Sequence, residues 1–327
     1  MNRESKTGKR GHEPVKVALH PRNVTFDWSR LPLVWIPGEV FASHYVSVLH
    51  LLLPEGERWF VKVFSEILPL IEDDQLREDV IGFIGQEGVH AASHQGVQDY
   101  FNDNGLDVRP FVAELEALFK KILGDRDLTG RAKEEWLIER AAIIAGLEHL
   151  TAVLGNWVLN SPELDEKGAD ETMLDLLRWH GAEEVEHRNV AYDVFQHVDG
   201  RYGRRVRAYA FGGLALLTLW WRGAGYLMRN DPTPLDPEHA EDVRLDPAKR
   251  PRATILKLID AERRGLVPGI MRLGWASWKY LLPSYDPSKE GSTAQAVSYL
   301  ARSPAALRAD ALAEAMAGPE GDLEVGR

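Results

Sequence analysis

Two Glu-x-x-His pairs, Glu87/His90 and Glu184/His187, lie far apart in the chain. A glutamate and a histidine three residues apart project from the same face of a helix, because positions i and i+3 are neighbours on a helical turn. Two helices with this pair, together with one glutamate from each of two further helices, supply the ligands of a di-iron or di-manganese carboxylate bundle. The two pairs therefore predict a dinuclear metal site inside a bundle of helices.

Glu57 and Glu148 are the candidates for the two further carboxylates. Glu57 lies in a predicted helix that follows Pro54, and Glu148 follows the apolar run 141–147, where an unpaired carboxylate would be costly. Along the chain, helices with a single glutamate thus alternate with helices that carry a Glu-x-x-His pair. One such pair alone arises often by chance on an exposed helix, whereas this alternation favours a metal site.

Three further histidines lie near the two pairs. His94 follows Glu87 by seven residues and His180 precedes Glu184 by four, so each extends the stripe of its pair along one helix face. His94 is predicted to be a ligand or a catalytic base in the substrate pocket, and the alternative is a histidine that supports a ligand or is packed in the core. His149 is next to Glu148 and points about 100° away, so we do not expect it to be a ligand.

Glu183 and Gln86 each precede a glutamate of the two pairs. Metal-bound histidines usually donate their second ring N–H to a carboxylate or amide oxygen. We therefore expect these two side chains to hydrogen bond to ligand histidines, although a solvated helix face at 183–188 is the alternative.

Composition limits the chemistry. The chain of 327 residues has a formal charge of −11 at pH 7 and contains no cysteine. The acidic balance argues against a nucleic-acid partner, which would meet a basic face. Without cysteine, disulfides, thiolate metal sites and iron–sulfur clusters are excluded. Histidine and carboxylate ligands suit iron, manganese or zinc.

The apolar periodicity predicts an all-α fold, a ferritin-like four-helix bundle with a dinuclear metal site and additional C-terminal helices. The domain prediction is a disordered tail at 1–25, the metal-binding bundle at 26–200, further helices packed on it at 201–317, and a tail at 318–327. Residues 1–20 contain no continuous apolar run, so we expect no signal peptide and a cytoplasmic protein. The predicted helices are 40–53, 54–68, 75–101, 110–123, 131–160, 169–198, 204–228, 253–264, 268–281 and 304–317.

The most apolar stretch is 208–221, which Arg207 and Arg222 flank. It is short for a membrane span, which needs about 20 residues. We interpret it as a buried or partner-facing helix. The alternative is a surface that contacts a membrane peripherally or binds an apolar substrate.

Four motifs, LPEGER at 53–58, QEGVHAASH at 86–94, EH at 148–149 and WHGAEEVEH at 179–187, resemble the bacterial family of predicted metal-dependent hydrolases. The resemblance covers roughly residues 30–290 and implies a metal-dependent enzyme. One departure stands near the C-terminus: the family resemblance leads us to expect a His-Pro pair after the last tryptophan-rich helix, where this chain has LPSYDP at 282–287.

The spacing of the candidate ligands also resembles that of ferritin-like di-iron oxygenases such as p-aminobenzoate N-oxygenase. That enzyme has a third histidine one helical turn before its second Glu-x-x-His pair, and His180 stands in this place. The resemblance implies seven metal ligands, Glu57, Glu87, His90, Glu148, His180, Glu184 and His187.

On these grounds the leading interpretation is an O₂-activating oxygenase or oxidase with two Fe ions, or Mn or a mixed Mn/Fe pair. It would act on an apolar or amine substrate and take electrons from an external donor. The first alternative is a dinuclear metal-dependent hydrolase in which His94 or another base transfers protons. The second is a bundle that binds metal without catalysis. The sequence leaves a homodimer open.

Overall fold

The computed structural model describes residues 17–233 and 252–317, and these residues form helices and no strand. The predicted all-α fold class is therefore confirmed. Residues 1–16, most of the proline-rich loop predicted at 230–251, and the predicted tail at 318–327 lie outside the described residues. The helices are α1 Val40–Ile67, α2 Asp74–Asp103, α3 Arg109–Lys121, α4 Gly130–Leu159, α5 Pro162–Glu166, α6 Glu171–His187, α7 Val190–Val198, α8 Tyr202–Asn230, α9 Ile255–Arg263, α10 Ile270–Leu281, α11 Thr293–Leu300 and α12 Pro304–Ala317.

Four of these helices form a bundle around one core. Helix α1 packs on α2 and α4 packs on α6, while α2 contacts α6 and α1 contacts α4. Aspartates begin two of the four: the side chains of Asp73 and Asp170 accept hydrogen bonds from the backbone N–H groups of Leu76 and Met173. The later helices cover the bundle from outside, because α8 lies on α1 and α4, α10 on α4, and α11 on α6.

Helix α1 is continuous through Pro54, where the sequence predicted two helices meeting or a kink. Proline has no amide hydrogen, so the carbonyl of His50, four residues earlier, has no donor within α1. The Nε2 of Gln98 on α2 donates to this carbonyl instead, at 2.8 Å. A side chain from the neighbouring helix thus satisfies the acceptor that Pro54 leaves free.

The predicted helix at 169–198 is interrupted immediately after its last candidate ligand. Helix α6 ends at His187, and α7 begins at Val190. Arg188, in the interruption, is buried and donates to the Ser288 carbonyl at 3.1 Å and to Thr293 Oγ1 at 3.0 Å. These bonds link the end of α6 to the C-terminal part of the fold.

Residues 17–25, which the sequence placed in a disordered tail, lie in extended conformation against α2. Gly82 allows this contact, since a Cβ at that position would stand 2.5 Å from Cβ of Leu19. The same segment places Arg22 next to α6, where it contacts Glu183 and Glu186. The sequence did not indicate these contacts, because a segment without helix or strand has no periodicity of its own.

Helix α4 combines a length of 30 residues with a high mean hydropathy. Its length and hydropathy suit a membrane span, but 72% of its most apolar window is buried by the other helices. It approaches α6 closely at Gly155, where a Cβ would lie 2.4 Å from the carbonyl oxygen of Gly181. We therefore interpret α4 as the central helix of the bundle.

Candidate metal centre

The structure brings all seven predicted ligands into one buried cluster inside the bundle. Each of the four bundle helices contributes at least one of them, and none is more than 6% exposed. The contributors are Glu57 from α1, Glu87 and His90 from α2, Glu148 from α4, and His180, Glu184 and His187 from α6.

One half of the cluster is formed by Glu57, His90, His180 and Glu184, whose ligand atoms lie within 4.8 Å of one another. The Nε2 atom of His180 is 2.7 Å from Oε1 of Glu184 and 3.6 Å from Oε1 of Glu57. The Nδ1 atom of His90 is 3.7 Å from the same Glu184 oxygen. Four donor atoms therefore surround one point.

The other half is centred on Nε2 of His187. This atom is 3.3 Å from Oε2 of Glu148, 3.3 Å from Oε2 of Glu184 and 3.4 Å from Oε1 of Glu87. The two halves share Glu184, which turns Oε1 towards the first half and Oε2 towards the second. Oε1 of Glu87 is also 3.8 Å from Nδ1 of His90, so this carboxylate lies between the halves as well. The arrangement suits two cations with two bridging carboxylates.

Nine ligand atoms of the cluster are buried without a hydrogen-bond partner. They are both carboxylate oxygens of Glu57, Glu87 and Glu148, together with Oε2 of Glu184, Nδ1 of His90 and Nε2 of His187. Buried polar atoms are costly without a partner, and native proteins contain few of them. Two metal cations would satisfy this set, and a set of oxygen and nitrogen donors suits iron, manganese or zinc.

The protonation equilibria of the carboxylates indicate the same need for cations. Burial and the neighbouring carboxylates raise the pKa of Glu57 and Glu87 well above its ordinary value and that of Glu148 to about 7. Burial acts in the same direction on Glu184, but the contacts with His187 and His180 together outweigh it and lower the pKa of Glu184 well below its ordinary value. Metal ions must therefore displace protons when they bind.

Behind His90, an ionic chain leads to the N-terminal segment. The Nε2 of His90 lies 2.9 Å from Oε2 of Glu183, and Arg22 Nη1 donates to Oε1 of Glu183 at 2.6 Å. Arg22 Nη1 also donates to Oε2 of Glu186 at 3.1 Å. Burial raises the pKa of both glutamates, although the Arg22 charge opposes the rise. An Nε2–H bond to Glu183 leaves the Nδ1 lone pair of His90 directed at the cluster.

The same chain reaches His187 from the other end. Gln86 donates from Nε2 to Oε2 of Glu186 at 3.3 Å, and its Oε1 atom lies 3.3 Å from Nδ1 of His187. Both hydrogen bonds that the sequence predicted for Glu183 and Gln86 are thus confirmed. We call Arg22, Gln86, Glu183 and Glu186 the Arg22 network, which supports His90 and His187 together.

His180 is supported differently, by a row of histidines. Its Nδ1 atom lies 2.5 Å from Nε2 of His94, and Nδ1 of His94 lies 2.7 Å from Nδ1 of His50. If Nε2 of His180 binds a metal, Nδ1 must carry the proton and donate to His94, which then donates to His50. Burial, followed by the proximity of His180, lowers the pKa of His50 to about 3 and that of His94 well below its ordinary value, so both rings are neutral.

Two supporting groups escaped the sequence analysis. His50 could have been found, because it precedes Glu57 by seven residues and so continues its stripe along α1. Arg22 could not, since it acts across 161 residues from an extended segment without a pattern. His149 lies outside the cluster as predicted: its ring nitrogens contact Tyr285 Oη at 2.8 Å and the Ala276 carbonyl at 2.9 Å. Tyr285 belongs to the stretch where a His-Pro pair was expected.

An apolar cavity of about 40 Å³ lies beside His180 and Glu184. Its walls include Leu49, Leu53, Leu154 and Trp220, and the polar side chains among its lining residues are Thr151 and the two cluster residues. The cavity therefore offers a substrate an apolar surface next to one half of the cluster.

A family model described as "Predicted metal-dependent hydrolase" matches residues 20–291. No curated protein and no solved structure matches the chain. The matched range includes all seven clustered residues, the Arg22 network and the histidine row.

Proposed function

The chain belongs to the family of predicted metal-dependent hydrolases, and on this premise we propose that it is a dinuclear metal enzyme that hydrolyses an apolar substrate beside Glu184. The observation that carries the proposal is the convergence of nine unpartnered, buried ligand atoms around one shared carboxylate. Purely structural ion pairs would satisfy these atoms within the protein, whereas this cluster leaves them directed at common points.

Two bound cations would polarise a substrate oxygen and lower the pKa of a water molecule that attacks it. In this proposal Glu57, His90 and His180 would hold one cation, and Glu148 and His187 would hold the other. Glu87 and Glu184, which lie between the two halves of the cluster, would contribute to both. The family match supports hydrolysis as the reaction, and the buried donor set supports the metal.

The apolar cavity would receive the part of the substrate next to the reacting group. Its apolar lining lowers the local dielectric constant, which strengthens the electrostatic interactions at the cluster. His94 was predicted to be a catalytic base, but both of its ring nitrogens are engaged with His50 and His180. We propose that His94 is a positioning residue for His180.

O₂-dependent oxidation is the second candidate function, and one observation favours it. Apart from Thr151, the described residues that line the cavity outside the cluster have apolar or tryptophan side chains or are glycines, so hydrolysis would depend on the cluster itself for polar interactions with the substrate. An oxidation of an apolar group needs no such partners. This candidate requires iron or manganese and an external electron donor.

Metal analysis is the first test. The protein is expressed with iron, manganese and zinc supplied, and its metal content is measured by elemental analysis. We expect about two ions per chain, as in two-metal sites, and a loss of both ions in Glu184→Ala. The control is Glu78→Ala, which removes an exposed carboxylate from α2. A protein without bound metal would overturn both candidate functions.

The second test distinguishes the reactions. Hydrolysis of long-chain nitrophenyl esters is measured with each metal form, and O₂ consumption is measured with the reduced iron form. Ester hydrolysis that needs metal and disappears in Glu184→Ala would support the hydrolase. Consumption of O₂ by the reduced iron form, without ester hydrolysis by any form, would replace it with the oxidase.

A further inference from the structure

Helices α8, α9 and α10 expose a large set of apolar side chains, which we call the apolar face. Met271 is 84% exposed and Leu256 is 74% exposed, values that are unusual for large apolar residues. The apolar face consists of Phe211, Leu214, Leu217 and Trp221 on α8, Ile255 and Leu256 on α9, and Ile270, Met271, Trp275 and Trp278 on α10.

These side chains share one surface of the molecule. On α8 and α10 they recur every three or four residues with few exceptions, so they lie on one side of each helix. The two helices are neighbours, since Tyr209 Oη and Ser277 Oγ are 2.6 Å apart. A groove of about 450 Å³ runs between them, lined mostly by residues of α8 and α10. Leu258 of α9, Pro268, Tyr45 of α1, and Leu150 and Leu154 of α4 complete its lining.

The charges on the two longer helices are all positive. Helix α8 contains five arginines, of which Arg207, Arg222 and Arg229 are exposed and the other two are buried. Helix α10 contains Arg272, which is exposed, and a lysine that pairs with Glu290, and neither helix contains an aspartate or glutamate. This contrasts with the formal charge of −11 for the chain. Arg207 and Arg222 stand at the two ends of the α8 part of the face, and each contacts one glutamate, Glu139 and Glu114 respectively. Arg272 is exposed beside Met271.

Exposed tryptophans and leucines with flanking arginines match the chemistry of an anionic membrane surface. Tryptophan is enriched at the level of lipid headgroups, and arginines near the surface are attracted by anionic lipids. A second copy of the chain would instead place two basic faces against each other. The charge of the face therefore favours lipid over self-association.

The groove also leads towards the metal centre. Leu154, Trp220 and Pro268 line both the groove and the cavity beside His180 and Glu184. The groove and the cavity are therefore adjacent, with these three side chains between them.

We propose that the apolar face docks on an anionic phospholipid bilayer and that the groove receives an apolar substrate from that bilayer. The docking is independent of catalysis, whereas the origin of the substrate rests on the proposed function. The bilayer supplies an apolar phase for the exposed side chains and negative headgroups for the arginines.

The docking is tested by sedimentation of the full chain with phosphatidylcholine vesicles, with and without phosphatidylglycerol. We expect binding to the anionic vesicles that weakens with salt. The double variant Leu214→Glu/Met271→Glu should bind the anionic vesicles at least about tenfold more weakly than wild type, because two charges would enter the apolar layer. The control is Ile81→Glu, an equally drastic change at a side chain on α2 that is 57% exposed and lines neither the groove nor the cavity.

Binding is measured with metal-free and metal-loaded protein, so a failure of the proposed function does not affect the result. Equal binding by wild type and the double variant, or no binding of wild type to anionic vesicles, would overturn the docking. Light scattering gives a further decisive outcome. A dimer that dissociates in the double variant, without vesicle binding, would identify the face as an interface between two copies.

The route of the substrate is tested at Gly213, which lines the groove and has open space at its Cβ position. Gly213→Phe should obstruct the groove, with Gly213→Ala as the matched control. We expect unchanged metal content and vesicle binding, and hydrolysis of long-chain esters from vesicles that is at least about tenfold slower than in Gly213→Ala. Equal rates on long-chain esters for the two variants would remove the groove from the route.

Discussion

The histidines of the metal centre are supported in opposite ways on its two sides. His90 and His187 are backed by carboxylate and amide oxygens that converge on the guanidinium of Arg22. His180 is backed by two neutral histidines, and the apolar cavity begins beside it. One side contains three charged groups, and the other contains none beyond the cluster itself.

This difference shows that a ligand histidine can be oriented either by charged partners or by neutral ones. None of the residues of the Arg22 network lines the cavity, and the charges of the network compensate one another. The histidine row fixes the tautomer of His180 without a net charge, which suits a position next to an apolar surface. A charged partner there would either be costly to bury or bind water.

The largest effect should follow from Arg22→Met, which removes the cation from the ionic side. Glu183 and Glu186 would then remain buried without compensation, and breaking a buried ion pair in this way costs about 3–5 kcal/mol. The free energy of unfolding is measured with urea, and Arg30→Met, at an exposed arginine of the same segment, serves as the control. A loss below about 1 kcal/mol would mean that the Arg22 network does not hold the segment to the bundle.

The second-largest effect is a pH dependence of the stability of the metal-free protein. Burial raises the pKa of Glu148 from 4.5 to about 7, so the folded protein binds a proton more tightly than the unfolded chain does. Binding of this proton adds roughly 3 kcal/mol to the free energy of unfolding below about pH 4.5. This contribution is lost as the pH rises through about 7. The pKa values of Glu57 and Glu87 are raised as well. Denaturation of the metal-free protein across this range should show the loss, and Glu148→Gln should reduce it. Constant stability would contradict the expectation.

A smaller and more selective effect is expected from His94→Phe. The His180 Nδ1–H would lose its acceptor, and loss of such a partner typically lowers metal affinity about 10–100-fold. Titration with a competing chelator should show that one of the two ions is weakened while the ion held by His187 is retained. In His94→Gln the side chain keeps a hydrogen-bond acceptor. A higher metal affinity in this variant than in His94→Phe would support a positioning role for His94. Equal weakening of both ions would show that the two sides are not independent.

The smallest effect should come from Thr151→Val on the apolar side. Thr151 Oγ1 donates to the backbone carbonyl of Glu148 at 3.1 Å, and its methyl group remains in the variant. Loss of this bond should change the free energy of unfolding by about 1 kcal/mol or less and leave metal affinity unchanged. Thermal unfolding and the same chelator titration provide the check. A loss of metal would reveal a polar requirement on this side.

The sequence sufficed for the parts of the centre that obey helical spacing. Glu87/His90 and Glu184/His187 could be placed on one face each because three residues make almost one turn, and Glu148 stood out as a charge within an apolar run. The apolar stretch at 208–221 was recognised, but composition does not tell which side of a helix remains exposed. That depends on packing against α1, α4 and α10, which the local sequence does not encode.

The boundaries of helices were harder to predict than their faces. Pro54 suggested that α1 would be divided in two. The helix is continuous, and a donor from another helix bonds to the carbonyl that Pro54 leaves free. The interruption between α6 and α7 depended on contacts of Arg188 with residues a hundred positions later. In both places a long-range hydrogen bond decided the local structure.

The proline within α1 also fixes the axial register of two helices. Because Gln98 can reach the His50 carbonyl only at one height along α1, their hydrogen bond sets the longitudinal position of α1 against α2. A slide by one helical turn would carry Glu57 about 5.4 Å away from Glu87 and separate the two halves of the ligand set. An interruption in the hydrogen bonds of one helix thereby aligns carboxylates that belong to two.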